Sequence, residues 1–192
     1  MTTDREKATP SALDRKLAAF LTLAPAERAR LASLESQRRE HPAGAELVYE
    51  TQEDHKAFVL QQGWAMSYKV LTDGGRQVVD FQVPGDFLGL RSFLLRTSDH
   101  NVAAVTDIVV SEVPARALAE LIETEPRLAM ALLWAASRDE AMVVEHLVGI
   151  GRRSPIIRTA HQFLELQQRL RLVGLADDGG FACPLNQYEI GR

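Results

Sequence analysis

The chain has 192 residues, 46% hydrophobic and 25% charged, with a net charge of −4. Those values suit a soluble globular protein with room for one good core, or for one domain with a short second one, and nothing suggests disorder beyond the first ten or so residues. One cysteine, Cys183, excludes an internal disulfide framework, a multi-cysteine metal site and an iron–sulfur cluster within the chain, and fits a reducing cytoplasm. The polar start MTTDREKATP lacks the apolar stretch of a signal peptide, and the longest apolar run, Leu128 to Ala136, falls short of the ~20 residues that a bilayer needs.

In chain order, Leu13, Leu17, Phe20, Leu21, Leu31 and Leu34 recur at helical spacing. They predict a helical lead-in from Ala12 to about Arg39, with Pro25 opening a second helix. From Glu46 to Val113 the segments ELVYE, KAFVLQQGWAMSYKVL, RQVVDFQV, NVAAVT and DIVVSEV read as strands. Turn formers separate them at Gln62-Gly63, Asp73-Gly74-Gly75 and Pro84-Gly85-Asp86. Five or more short strands with no long helix between them predict an antiparallel β-roll or jelly roll.

From Ala115 the pattern turns helical again: a short helix to Glu123, then a long one from Glu125-Pro126 to a stop near Gly149 and Gly151. The long helix carries two apolar lines. Leu128, Leu132, Ala135 and Met142 form one; Ala129, Leu133, Ala136, Val143, Leu147 and Ile150 form the other, broken by Glu140. One line can cover the β-structure. The other either joins the same core or meets a second copy of the helix in a two-fold dimer, with Trp134 beside the seam. A further amphipathic helix follows Ser154, with Ile156, Ile157, Ala160, Phe163, Leu164, Leu166 and Leu170 apolar; then come the turn ADDGG and the segment FACPLNQYEIGR, where a new helix begins. Charge shifts along the chain: residues 1–148 carry a net −6 and residues 149–192 a net +2, which puts any phosphate-facing surface at the C-terminal end.

Enzyme chemistry finds no constellation. His55 and His100, the histidines of the strand region, are far apart, so no cupin-like metal set forms, and GIGRRS lacks the third glycine and leading strand of a phosphate loop. His41, His55, His100, His146 and His161 are isolated residues that carry no haem geometry. No catalysis, haem or metal is expected. Cys183 reads as an inert small apolar residue, with redox sensing as the minor alternative.

The ordered run GWAMSYKVLTDGGRQVVDFQVPGDFLGL and VAAVTDIVVSEV resembles the β-roll of CRP/FNR transcription regulators. EHLVGIGRRSPIIRTAHQFLEL resembles the end of that family's dimerisation helix and the first helix of its DNA-binding domain, and PLNQYEIGR resembles the opening of its helix-turn-helix. The match runs from about Leu13 to Arg192. It implies an α+β fold: N-terminal helices and a cyclic-nucleotide-binding-like β-roll over 1–114, a short helix and the long dimerisation helix over 115–151, and the incomplete beginning of a helix-turn-helix domain over 152–192.

The function implied is a cytoplasmic, homodimeric, DNA-binding regulator, represented by its sensor and dimerisation part with a truncated helix-turn-helix. Its partners would be DNA, in a complete form of the protein, and RNA polymerase; no membrane is involved. The alternative is a stand-alone regulatory or ligand-binding module that dimerises without binding DNA. Effector-pocket candidates are Gly85, Leu88, Gly89, Leu90, Ser98 and Asp99. Dimer-interface candidates are Leu133, Trp134, Ala136, Val143, Leu147 and Ile150. Arg152, Arg153 and Arg158 are candidates for phosphate contact, and Gly149–Arg153 for a hinge.

Members that bind cyclic AMP hold the ribose with a glutamate and the phosphate with an arginine. Here Leu90 follows Gly89, and the family's Arg-Ser positions fall on Ser98 and Asp99. A buried phosphate without its cation forgoes a charge-assisted bond of ~1.5–3 kcal/mol, which argues against cyclic AMP in the usual geometry.

Overall fold

A computed structural model of the chain describes residues 9–51, 56–90 and 96–187. Two short helices lead in: α1 (Ala12–Ala18), whose N-cap Ser11 accepts from Asp14 N–H at 3.1 Å, and α2 (Pro25–Leu34), which Pro25 opens as expected. Eight strands follow: β1 (Arg38–His41), β2 (Glu46–Val48), β3 (Lys56–Gln62), β4 (Ala65–Val70), β5 (Arg76–Gln82), β6 (Phe87–Leu88), β7 (Asn101–Ala104) and β8 (Ile108–Pro114). They form two four-stranded antiparallel sheets, ordered β1-β8-β3-β6 and β2-β7-β4-β5, the expected jelly roll.

Two strands escaped the sequence reading. The helical lead-in, expected to reach about Arg39, takes in the first half of β1 (Arg-Arg-Glu-His), yet α2 stops at Leu34 and β1 pairs along β8. β6 is only two residues long. β1 is an exposed edge strand with charged side chains, so no apolar alternation marks it. Only its backbone pairing makes it a strand.

The apolar residues divide into three clusters, and the division explains the strand patterns. β3 is buried on both faces: Ala57 and Val59 pack against Leu13, Leu17, Leu31, Leu118, Leu121, Leu128 and Leu132 of the helices, while Phe58 and Leu60 face Val48, Val102, Ile108 and Val110 between the sheets. A strand buried on both faces reads as the continuous apolar run Ala57-Phe58-Val59-Leu60. Helices α3 (Ala115–Thr124) and α4 (Pro126–Arg152) close the first cluster, with Glu27 of α2 bonded to Arg127 at 2.7 Å.

The third cluster joins α5 (Pro155–Leu172) to the other sheet: Leu166 and Leu170 bury against Trp64, Phe81 and Val83. Behind it Phe181 stacks on Trp64 at 6.2 Å. The segment assigned to a separate C-terminal unit therefore shares a core with the β-roll. The long helix also runs on through Gly149 and Gly151 to Arg152 and breaks at Arg153, where the backbone turns extended before Ser154-Pro155. The stop expected at the glycines lies one to three residues later, because each glycine costs a helix only ~1 kcal/mol, whereas Pro155 disfavours helical geometry in the residue before it.

Candidate effector pocket and helical interface

The turn Val83-Pro84-Gly85-Asp86 leads into β6 and then into Gly89 and Leu90. Gly85 adopts φ +91°, and its N–H donates to Leu60 O at 2.8 Å. A Cβ there would lie 2.8 Å from the Ala12 carbonyl, so this position is occupied by α1 and faces no cavity. Leu88 belongs to the apolar filling between the sheets, with 1% exposure; Leu90 packs against the helical cluster; Gly89 is buried at φ +71°. Ser98 is buried, donating its hydroxyl to His100 O at 2.7 Å and accepting Thr51 N–H on its own carbonyl. The Asp99 carboxylate lies 2.6 Å from His100 Nδ1. The six candidates therefore do not converge on one open site. Gly85 and Leu88 are packed, and Ser98 and Asp99 are hydrogen-bonded to their own loop. Residues 91–95, between the two groups, lie outside the described residues, as does His55. A surface cleft of about 250 Å³ lies elsewhere, between α2, β8 and α3, lined among others by Arg30, Gln37, Glu112 and Glu120.

On α4 the two apolar lines part cleanly. Leu128, Leu132 and Ala135 are buried against the β-roll, with Met142 half-buried. On the other line Leu133, Leu147 and Ile150 are 60–70% exposed and Val143 is exposed as well, with Ala136 half-buried. Met130, Val144 and Val148 widen this bare stripe. Trp134 differs from its line. Its ring stacks on Phe20 at 5.3 Å, so the chain's own N-terminal region partners it.

The arginines placed at the C-terminal end also separate. Arg152 and Arg158 are exposed, and Arg153 pairs with Glu145 at 3.1 Å. Arg169, counted in the same positive excess, is 4% exposed and faces inward. Its Nη2 lies 2.6 Å from Asp86 Oδ2, and its Nη1 lies 3.1 Å from Asp80 and 3.5 Å from Glu165. The other Asp86 oxygen accepts from Lys16 Nζ at 2.8 Å, and Val83 N–H donates to Oδ2. Burial works to raise the Asp86 carboxyl, but Lys16 and Arg169 together hold it well below the usual carboxylate range. Burial raises Asp80 and Asp139, although Arg169 and Lys16 oppose the shift.

Beside this network His146 Nε2 and Glu165 Oε2 lie 2.7 Å apart and join α4 to α5. The bond to Glu165 raises His146 against burial; burial pushes Glu165 up, but His146 and Arg169 bring it below its ordinary value. The sequence reading named His146 only among isolated histidines and Asp86 only as part of a turn, and it did not bring this network together. The signal was present: Leu166, Arg169, Leu170 and Val173 fall at i, i+3, i+4 and i+7, so an arginine sits on the buried stripe of α5. Asp139 and His146 occupy stripe positions of α4 in the same way. Among the described residues no cluster of three or more His, Cys, Asp or Glu could hold a metal ion, and no helix is long and apolar enough to cross a membrane. Cys183 is exposed.

Residues 38–125 match the model of the cyclic nucleotide-binding domain. The chain is 30% identical over 154 residues to the nitrogen fixation regulation protein FixK of Bradyrhizobium diazoefficiens, a match covering 80% of this chain and 64% of the relative, so it spans just under two thirds of FixK. It is 28% identical over 177 residues to the transcriptional activatory protein AadR of Rhodopseudomonas palustris, covering 92% of the chain and 72% of that relative. The solved structure of FixK2 from Bradyrhizobium japonicum superposes with a TM-score of 0.71 at 26% identity, covering 81% of this chain and 75% of that one.

Proposed function

The chain belongs to the CRP/FNR family, and from that premise we propose that it is the sensing and dimerising part of a cytoplasmic, homodimeric regulator of transcription. The observation that carries the reading is the bare stripe on α4. Leu133, Leu147 and Ile150 stand 60–70% exposed beside a line whose Leu128, Leu132 and Ala135 are buried. An apolar stripe at 4-3 spacing on a 27-residue helix is what a second copy of the same helix covers in a parallel pair. Burying such side chains contributes ~1.5–3 kcal/mol each, enough for the stripe to drive association once copies meet.

In the complete regulator, operator DNA would be read by elements that follow α5, with RNA polymerase as the further partner; Arg152 and Arg158 would add phosphate contacts. The Gly149–Arg153 segment and the break at Arg153 would let the packing of α4 set the position of α5. The proposed effector is something other than cyclic AMP in its usual geometry. Leu90 stands where the family's ribose-holding glutamate is expected, and the hydrogen bonds of Ser98 and Asp99 run to His100. No haem, iron–sulfur cluster or catalytic role is proposed.

Sedimentation equilibrium of the chain at tens of micromolar tests the reading. A dimer is expected, converted to monomer by Leu147→Asp with unchanged circular dichroism. A wild-type monomer at that concentration overturns it.

A further inference from the structure

Asp86 lies one residue after the turn glycine and two before Leu88, in the turn that leads into β6. Its carboxylate also holds α5, through Arg169. Both of its oxygens are engaged: Oδ1 with Lys16 of α1 at 2.8 Å, Oδ2 with Arg169 of α5 at 2.6 Å and with Val83 N–H at 2.8 Å. The turn is fixed to the β-roll as well, through Leu60 N–H to Asp86 O at 2.9 Å and Gly85 N–H to Leu60 O at 2.8 Å. Arg169 is 4% exposed, and its fork spans Asp86 and Asp80, so one planar group ties α5 to the entry of β6 and to β5 together.

We propose that Arg169 is a positioning residue. Held by Asp86 and Asp80, it registers α5 on the β-roll, so that a displacement of the Asp86 turn is passed to α5 within one protomer, without going through α4. This rests on the reading of the β-roll as the effector domain for its purpose, though not for its geometry. The apolar contact of Leu166 and Leu170 with Trp64, Phe81 and Val83 supplies adhesion without direction, since apolar surfaces tolerate sliding. A guanidinium between two carboxylates fixes one register. Neutralising Asp86 strips the buried Arg169 of its shortest ion pair and leaves Asp80 and Glu165 as its partners, which weakens the hold of the β6 turn on α5.

Amide hydrogen exchange of the 192-residue chain, read segment by segment, tests this. In Arg169→Met, which keeps the apolar stem, residues 155–172 should exchange at least about tenfold faster, while β3 and β8 stay within about twofold of the wild type. Asp86→Asn, a change in the turn before β6, should loosen the same segment, and the double variant should do no more than either alone. Arg169→Lys, which reaches one carboxylate, should fall between. Glu145→Gln, which breaks the neighbouring Arg153 pair, should leave α5 protected. Unchanged exchange in α5, or equal losses across α5, β3 and β8, overturns the proposal. A monomer by sedimentation would sink the dimer reading and leave this result standing.

Discussion

At the scale of single residues, the His146–Glu165 pair makes the junction of α4 and α5 depend on pH, with a definite sign. His146 has its pKa raised in the folded chain above its ordinary 6.5, chiefly by its bond to Glu165. Such a group contributes stability that is fully present below about 6.5 and is lost as pH rises through the raised value. Glu165 is lowered below its ordinary 4.5, so its contribution is present above that value and lost as pH falls. The pair therefore grips best between those two limits and slackens in alkaline solution. Urea titrations at pH 6 and pH 8.5 should show the wild type losing stability relative to His146→Gln as pH rises. Parallel pH dependence of the two proteins would show that the pair does not carry this effect. The same scale shows where sequence reasoning fell short. Arg169 entered only as one charge in the positive C-terminal excess, because charge alone says nothing of direction; its place on a stripe with Leu166 and Leu170 says which way it points.

At the scale of elements, periodicity carried most of the fold, and it failed where the periodicity itself is absent. The long helix was legible because its two lines differ by one position, and the structure packs one and bares the other. The strands β3, β4, β5, β7 and β8 were legible from β-branched and aromatic runs between turn formers. β1 has no such run, and a two-residue strand such as β6 has no room for one. The effector pocket was the least legible part, because its candidates came from resemblance and the chain packs Gly85 against α1 and Leu88 between the sheets.

The α4 stripe carries a further expectation. Glu140 interrupts the line between Ala136 and Val143 and is exposed in the single chain. In a parallel pair it would face its own counterpart, and two carboxylates at one seam position disfavour association while fixing register. Glu140→Leu should tighten dimerisation by about tenfold or more, equivalent to ~1.4 kcal/mol, as read from the sedimentation concentration dependence. An unchanged constant would place residue 140 outside the seam.

At the scale of the whole molecule, the positive excess at the C-terminal end becomes smaller once the side chains are placed. Of the arginines in residues 149–187, Arg169 is buried among carboxylates, Arg153 pairs with Glu145, and Arg171 pairs with Asp178 at 2.9 Å. Arg152 and Arg158 remain as exposed cations on that surface. The rest of the chain is acidic, with a net −6 over residues 1–148. Affinity for duplex DNA from phosphate contacts falls with salt at a slope near −0.9 per neutralised phosphate. Two contacts per protomer therefore give a dimer a slope of roughly −4 and little binding at ~150 mM salt. The acidic remainder adds repulsion. A labelled duplex carrying a palindromic site should accordingly show no sequence-specific shift with this chain at physiological salt, and at most weak retardation that disappears as salt rises. A tight complex that survives competitor DNA would mean that bases are read by an element within residues 1–192, and the proposed division between a sensing body and a separate reading arm after α5 would have to be abandoned.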